Sequence, residues 1–219
     1  MSLSYPGESD AYRTARTALL QEELALRSQI EKVAAMRRDL PTGGQVAQDY
    51  GFTRLDGSRV NMSELFTTDR QTLALYSLMY RPEAESPCSM CSSMLDGLAG
   101  QAQHLAQHID FAVVAAATPA QLQALAEARE WTDLTLLSAQ GTSYQSDYLA
   151  EAPDGSQLPM MNVFTRSGGA VHHFWGSEVF YADVEGHPRH VDQLWPLWNV
   201  LDLTPQGRGE SWFPALSYS

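Results

Sequence analysis

Cysteine, basic side chains and long apolar runs are all scarce in this sequence of 219 residues. Two cysteines cannot form the disulfide framework of small secreted domains, and a chain of this length buries enough surface to fold without one. Only 14 Lys and Arg residues stand against 26 Asp and Glu residues. The net charge of −12 disfavours binding to nucleic-acid phosphates and to anionic membrane surfaces, so we expect neither as a partner.

The apolar residues are dispersed along the chain. No run approaches the roughly 20 consecutive apolar residues that a membrane-spanning helix needs. Residues 1–10 lack a basic segment followed by an apolar one, which a secretory signal would contain. From these absences we predict a cytoplasmic protein.

The first quarter of the chain predicts a long helix over residues 11–38, which ends before Pro41. Apolar residues recur through it at helical spacing: Tyr12, Leu19, Leu26, Ile30 and Val33. We interpret residues 1–45 as a tail and helical arm, and residues 46–219 as a domain that forms one structural unit with the arm. The arm either packs on that domain or joins two chains in a homodimer, and the sequence leaves both open.

Beyond the arm, segments with strand and helix character alternate. Strands are predicted at residues 72–80, 110–117, 134–138, 160–166 and 170–175, and helices at 89–108 and 119–130. This alternation predicts an α/β fold with a mostly parallel central sheet, flanking helices and a closing antiparallel hairpin. The rest of the chain, rich in aromatic and turn residues, forms an elaborated C-terminus.

The two cysteines, Cys88 and Cys91, lie between a predicted buried strand and a predicted helix. A helix N-terminus stabilises an anion through its unpaired N–H groups and its dipole. The thiolate is the nucleophile of disulfide exchange. We therefore predict that Cys88 is the attacking thiolate and Cys91 the resolving thiol. The reversible disulfide between them replaces any separate cofactor.

A proline immediately precedes the predicted strand 160–166. The sequence Leu158-Pro159 is followed by Phe164 and Gly168, and this order resembles the segment of thioredoxins that carries the cis-proline. The resemblance implies a thioredoxin-like fold in which the Leu158–Pro159 bond is cis and Pro159 faces the cysteine pair.

The cysteine segment departs from two related patterns. Ser89 and Met90 stand where thioredoxin has Gly and Pro. Pro82 and Ser86 fit the peroxiredoxin pattern, but Ser89 occupies its cysteine position and Cys88 comes one residue early. We therefore do not predict peroxidase activity of the usual type.

Over roughly residues 15–212 the chain resembles the bacterial DUF899 family of the thioredoxin-like superfamily. The resemblance depends on residues 37–41, 50–52, 65–66 and 75–76, the Cys88 segment with Asp96-Gly97, Trp131, and residues 201–210. That family has no settled biochemical role, so the resemblance implies more about the fold than about the function.

We predict a thiol–disulfide oxidoreductase acting on a protein or small-molecule disulfide, with an unidentified reductant restoring the thiols. Candidates for a substrate cleft are Tyr76, Tyr144, Asp147, Leu158, His172 and Trp175, of which Tyr76, Leu158 and Trp175 are the main ones.

Two alternatives stay open. In one, the domain is redox-silent and its aromatic C-terminus covers a partner or a cleft, because a fold does not determine a function. In the other, the cysteines bind zinc with two histidines. The histidine pairs available are 104 with 108, 172 with 173, and 187 with 190. None of them makes a zinc-finger spacing with the cysteines, and we predict no metal.

Overall fold

The structure, a computed structural model, describes residues 4–67, 70–185, 189–209 and 211–218. His187 of the proposed zinc ligands and Glu210 of the C-terminal motif lie outside these residues. The chain divides into two compact units, Met1–Pro41 and Thr42–Ser219.

The first unit contains helix α1, which spans Asp10–Arg38 and agrees with the predicted helix to within one residue. It begins where the Ser9 side chain accepts the N–H of Tyr12 at 3.2 Å. It ends with Arg37 and Arg38 in the last turn, where the helix dipole favours cations. None of its 29 residues is buried, so its apolar side chains are not part of a core.

The second unit is built on one mixed sheet. In the described part of the chain its strands are β1 (Gly51–Arg54), β2 (Arg59–Asn61), β3 (Thr72–Ser77), β4 (Asp110–Ala115), β5 (Thr135–Ser138), β6 (Met160–Ser167) and β7 (Ala170–Gly176). Their order across the sheet is β2-β1-β5-β4-β3-β6-β7.

Five helices accompany these strands in the described residues. They are α2 (Ser89–Ala99), α3 (Ala102–Leu105), α4 (Pro119–Arg129), α5 (Tyr144–Asp147) and α6 (Pro196–Leu201). The helix predicted over residues 89–108 is therefore two helices, because Gly100 ends α2. Short 3-10 turns lie at Met62–Leu65, Glu178–Tyr181 and Asp192–Leu194. No helix in the described residues is both long and apolar enough to cross a membrane.

The strand directions confirm the thioredoxin-like fold and correct one detail of it. Along the chain, strand β3, helix α2 and the parallel strand β4 come first, and the antiparallel hairpin of β6 and β7 follows. Across the sheet, β4, β3, β6 and β7 are adjacent in that order. Among the described strands the only parallel neighbouring pairs are β3–β4 and β4–β5. The sheet is mixed rather than mostly parallel, because the β6–β7 and β1–β2 hairpins extend its two sides with antiparallel strands.

Two apolar clusters cover the two faces of this sheet, because side chains alternate along each strand. The cluster on the first face, here called the cysteine face, contains Tyr76, Cys91 and Met161. The cluster on the second face contains Leu75 and Phe164. Full burial of a side chain such as Leu75 or Phe164 contributes about 1.5–3 kcal/mol to the free energy of unfolding.

The open side of β7 is bordered by the segment 43–46. The N–H of Val46 donates to Val171 O at 2.9 Å, and the N–H of His173 donates to Gly44 O at 2.9 Å. A Cβ atom on Gly43 would lie 2.0 Å from the carbonyl oxygen of His173. Only glycine allows this segment to approach the strand so closely.

Candidate functional site

The loop between β3 and α2 positions the cysteine pair. The N–H of Leu78 donates to Val114 O at 2.8 Å, which extends the sheet by one residue. The N–H of Cys88 then donates to Met79 O at 3.0 Å, so the loop returns to the strand from which it left. The Gln121 side-chain amide donates to Arg81 O and to Pro82 O, which fixes the middle of the loop on α4.

Cys88 is the N-cap residue of α2, and its side chain is half-buried. Its Sγ atom accepts the backbone N–H of Cys91 at 3.4 Å. A hydrogen bond from the Cys91 thiol is the main cause that lowers the pKa of Cys88 from 9.0 to about 6, and the N–H groups of Cys91 and Met90 add to it against the opposing effect of burial. At neutral pH Cys88 is therefore mostly a thiolate.

Cys91 lies in the first turn of α2, and its side chain is 2% exposed. Its hydrogen bond to Cys88, its burial and the charge of Cys88 all raise its pKa well above the ordinary value. Hydrogen bonds from the Tyr76 hydroxyl and the Met79 N–H oppose this rise in pKa. The pair therefore combines one half-buried nucleophile with one buried, protonated thiol.

The predicted substrate-contact residues occupy three different environments. Tyr76 is 1% exposed and hydrogen-bonds Cys91 from within the core, so it does not face solvent. Leu158 and Trp175 are half-buried, and Trp175 packs against the apolar cluster of the cysteine face. Tyr144 is buried on the second face. The structure thus places Tyr76 beside the cysteine pair but not at the surface.

The predicted cis bond before Pro159 is wrong. No peptide bond among the described residues is cis. The N–H of Leu158 donates to Ala150 O at 2.9 Å, and Pro159 O accepts from His190 Nε2 at 2.7 Å. These two hydrogen bonds hold Leu158 and Pro159 on the two sides of the bond, and the chain enters β6 without the reversal that a cis bond would supply. The trans form is also intrinsically favoured. Pro159 nevertheless precedes Met160, which pairs with Ser77 at the end of β3 that leads to the cysteines.

A cavity of about 240 Å³ adjoins the cysteine motif, and Met90 lies in its wall. We call it the C-terminal groove, and its other principal residues are Trp198, Arg208, Trp212 and Phe213. The Arg208 guanidinium lies 5.1 Å from the centre of the Trp198 ring, and Trp212 and Phe213 are exposed. The sequence alone does not join this groove to the cysteines, because about a hundred residues or more separate Met90 from its other walls. The aromatic C-terminus was the signal for it.

The described residues contain no group of three or more His, Cys, Asp or Glu side chains that could hold a metal ion. The described histidines are therefore not gathered around Cys88 and Cys91, and the zinc alternative gains no geometric support.

A sequence profile described as "Bacterial protein of unknown function (DUF899)" matches residues 2–218. No curated protein matches the sequence. The chain is similar to the solved structure of the peroxidoxin BcpB from Mycobacterium tuberculosis, at 20% identity and a TM-score of 0.46, over 74% of this chain and 98% of that one. It is also similar to the hypothetical protein SMc02350 from Sinorhizobium meliloti 1021, at 16% identity and a TM-score of 0.44, over 80% and 91%.

A third similar structure is a SCO1/SenC family lipoprotein from Bacillus anthracis, at 12% identity and a TM-score of 0.42, over 68% of this chain and 91% of that one. At TM-scores below 0.5, these three similarities assign no function to the chain.

Proposed function

Because the chain belongs to the DUF899 family, whose description assigns no activity, we propose a function from the geometry of the cysteine pair: it is a thiol–disulfide oxidoreductase. The observation that carries this proposal is that Cys88 caps the N-terminus of α2 and its Sγ accepts the N–H of Cys91 at 3.4 Å, while Cys91 is buried in the first turn. The pKa of Cys88 is lowered to about 6 at the helix N-terminus, and the pKa of Cys91 is raised in the core. A dithiol with this division of roles is suited to exchange with a disulfide.

In the first step, the Cys88 thiolate attacks one sulfur of a substrate disulfide. A bond forms between Cys88 Sγ and that sulfur, the substrate S–S bond breaks, and the second substrate sulfur leaves as a thiolate that takes a proton from water. Cys88 carries no negative charge in the mixed disulfide, so the stabilisation that the helix N-terminus gave to its thiolate is lost in this step. The step is slower for a substrate whose departing thiol is less acidic, because a thiolate of higher pKa leaves more slowly.

In the second step, the Cys91 thiol gives its proton to water, and the resulting thiolate attacks Cys88 Sγ. The Cys88–Cys91 disulfide forms, the mixed disulfide breaks, and the first substrate sulfur leaves as a thiolate. Two electrons have then passed from the protein to the substrate. The hydroxyl of Tyr76 is placed to stabilise the Cys91 thiolate during this step, because its hydrogen bond favours the charged form of Cys91. A thiol reductant that supplies two electrons is needed to return the pair to its starting state.

The C-terminal groove supports a substrate larger than a single small thiol. Met90 belongs both to the motif and to this groove, so a chain attached to the substrate disulfide would extend over exposed Trp212 and Phe213. These aromatic side chains favour an apolar polypeptide segment as the attached group.

The test is equilibration in glutathione buffers of graded potential, followed by alkylation and mass measurement. Both thiols of the wild type should oxidise and reduce reversibly together. Cys88→Ser should abolish reduction of insulin disulfides, and Cys91→Ser should accumulate a mixed disulfide. Ser89→Ala, which leaves both sulfurs in place, is the matched control. A Cys88→Ser variant with full reductase activity would exclude the proposal, and inert wild-type thiols would favour a redox-silent binding domain.

A further inference from the structure

The loop between β3 and α2, residues 78–88, is here called the cysteine loop. Its end at Cys88 is held by the hydrogen bond from the Cys88 N–H to Met79 O. Nearer its middle, the side chain of Gln121 donates to two backbone carbonyls of the loop. Gln121 lies in the first turn of α4 and touches neither sulfur in the chemistry described above, so its contact with the loop needs a separate explanation.

The two ends of the Gln121 amide have different partners, and the orientation of the group follows from them. Oε1 accepts the N–H of Thr118 at 3.0 Å and the hydroxyl of Thr118 at 2.9 Å. Because a backbone N–H can only donate, the atom that faces it is the oxygen. Nε2 therefore lies on the other side, where it donates to Arg81 O and to Pro82 O, each at 3.2 Å.

The helix alone does not explain why this residue is glutamine. Thr118 and Gln121 form the capping box of α4, in which the Thr118 hydroxyl also accepts the N–H of Gln121 at 3.2 Å. A capping box needs an acceptor at the third helical position, and glutamate supplies one as well as glutamine does. The amide adds N–H donors, and these donors reach the cysteine loop. The Nε2 group thus serves the loop rather than the helix.

The rest of the cysteine loop combines one internal turn with apolar packing. The N–H of Ala84 donates to Arg81 O at 3.2 Å, and Ala84 packs against the cluster of the cysteine face. Apolar packing is non-directional, so it holds the loop on the domain without fixing its position along the surface. Pro82 and Pro87 restrict the backbone between Arg81 and Cys88. A displacement at Arg81 is therefore transmitted along the loop.

We propose that Gln121 is a positioning residue of the cysteine site. By holding two carbonyls of the cysteine loop, it keeps Cys88 at the N-cap of α2, where Cys88 Sγ accepts the N–H of Cys91 at 3.4 Å. Without the two donors, Cys88 leaves this geometry more often, and the helix N-terminus stabilises its thiolate less. The inference rests on the proposed function for the role of Cys88 as the nucleophile. It adds that α4 sets the reactivity of that nucleophile.

The test is the pH dependence of Cys88 alkylation by iodoacetamide, followed by peptide mass spectrometry on the full chain. Gln121→Met removes both donors and leaves a neutral side chain of similar length. Gln121→Glu keeps an acceptor for the capping box and removes the donors. We expect the midpoint of the pH profile to rise by about half a pH unit or more in both variants, because the hydrogen bond to the Cys88 thiolate is weakened. The rise should persist at high salt.

Thr118→Val is the matched control for a merely structural effect. It removes the hydroxyl from the capping box but leaves the backbone N–H of residue 118 to hold Gln121 Oε1. This variant should lose stability in urea and keep the wild-type alkylation midpoint. An unchanged midpoint in Gln121→Met would overturn the proposal, and so would an equal rise in Thr118→Val. A rise confined to Gln121→Glu that disappears at high salt would come from the added charge and would also overturn it.

Failure of this inference and failure of the proposed function are distinguishable, because alkylation needs no disulfide substrate. If the wild type does not reduce insulin but the midpoints shift as expected, the proposed function fails and the role of Gln121 stands. If the wild type reduces insulin and neither Gln121 variant shifts the midpoint, the proposed function stands and the role of Gln121 fails.

Discussion

The hydroxyl of Tyr76 hydrogen-bonds the sulfur of Cys91 inside the core, where neither side chain is more than 2% exposed. Tyr76 lies on β3 and pairs with Val113 and Met161, so its position is set by the centre of the sheet. The sheet therefore supplies a hydroxyl donor to the buried thiol, which also accepts the N–H of Met79, while the helix N-terminus stabilises the half-buried one. This arrangement leads to the first prediction.

Tyr76→Phe should slow the release of substrate from the mixed disulfide. The lost hydrogen bond favours the charged form of Cys91, so its removal raises the pKa of that thiol further. The lifetime of the mixed disulfide, followed by quenched mass spectrometry, should increase, while the alkylation rate of Cys88 stays close to that of the wild type. Tyr144→Phe removes a hydroxyl that is equally buried on the second face and is the control. An equal effect of both variants would indicate a general loss of stability.

The alkylation of Cys88 should depend on pH in a manner that reports its thiolate. Because the pKa of Cys88 is lowered to about 6, its rate with iodoacetamide should rise through pH 6 and change little between pH 7 and 8. Cys91→Ala removes the thiol donor that is the main cause of this shift and puts no other donor in its place. It should move the midpoint toward higher pH. A wild-type midpoint near 9 would contradict the prediction.

The cysteine segment illustrates how far the sequence alone could go. The position of Cys88 at a helix N-terminus follows from local patterns, since a buried strand, a loop and a helix succeed one another along the chain. The position of Tyr76 beneath Cys91 does not follow from them, because a residue of a buried strand faces either side of the sheet depending on tertiary packing. Sequence reasoning therefore proposed Tyr76 as a substrate contact, whereas the structure places it under Cys91.

The error at Pro159 has a similar origin. The resemblance to thioredoxins supplied the order of residues, but the isomer of the bond depends on what holds the two flanking residues. Here the partners are Ala150 O and the His190 side chain, from segments whose positions no local pattern predicts. Asp147 was a predicted cleft residue, but no local pattern predicts that its carboxylate accepts the hydroxyl of Tyr50, which belongs to the cluster on the second face.

One family motif has a structural explanation that mutagenesis can test. Asp96 Oδ1 accepts the indole N–H of buried Trp131 at 2.9 Å, and the Asp96 carboxylate also binds Arg129. Asp96→Ala should lower the free energy of unfolding by about 2 kcal/mol, because it leaves an indole N–H without its acceptor. Urea denaturation measures this change, and exposed Asp133→Ala is the control. A change no larger than that of the control would show that the contact contributes little.

The exposed apolar residues of α1 are proposed to join two chains in a homodimer. Leu19 and Leu26 are 52% and 62% exposed and lie seven residues apart on one side of the helix. Charged substitution of both, Leu19→Glu with Leu26→Glu, should lower the mass in sedimentation experiments from dimer to monomer. Leu24→Glu, on the other side of the helix, should leave the mass unchanged. A monomeric wild type would exclude the dimer.

The segment 43–46 beside β7 affects how this protein can associate. An uncovered outer strand offers free N–H and C=O groups to any other extended chain, and this is a common route to aggregation. Val46 and Gly44 already occupy such groups on Val171 and His173, and at the opposite margin β2 is only three residues long. Extension of the sheet from one molecule into the next is thus hindered at both margins. Contacts between two chains are therefore made by side chains. A substitution at Gly43 that detaches the segment should uncover the edge of β7, and the first visible effect should be precipitation of the protein.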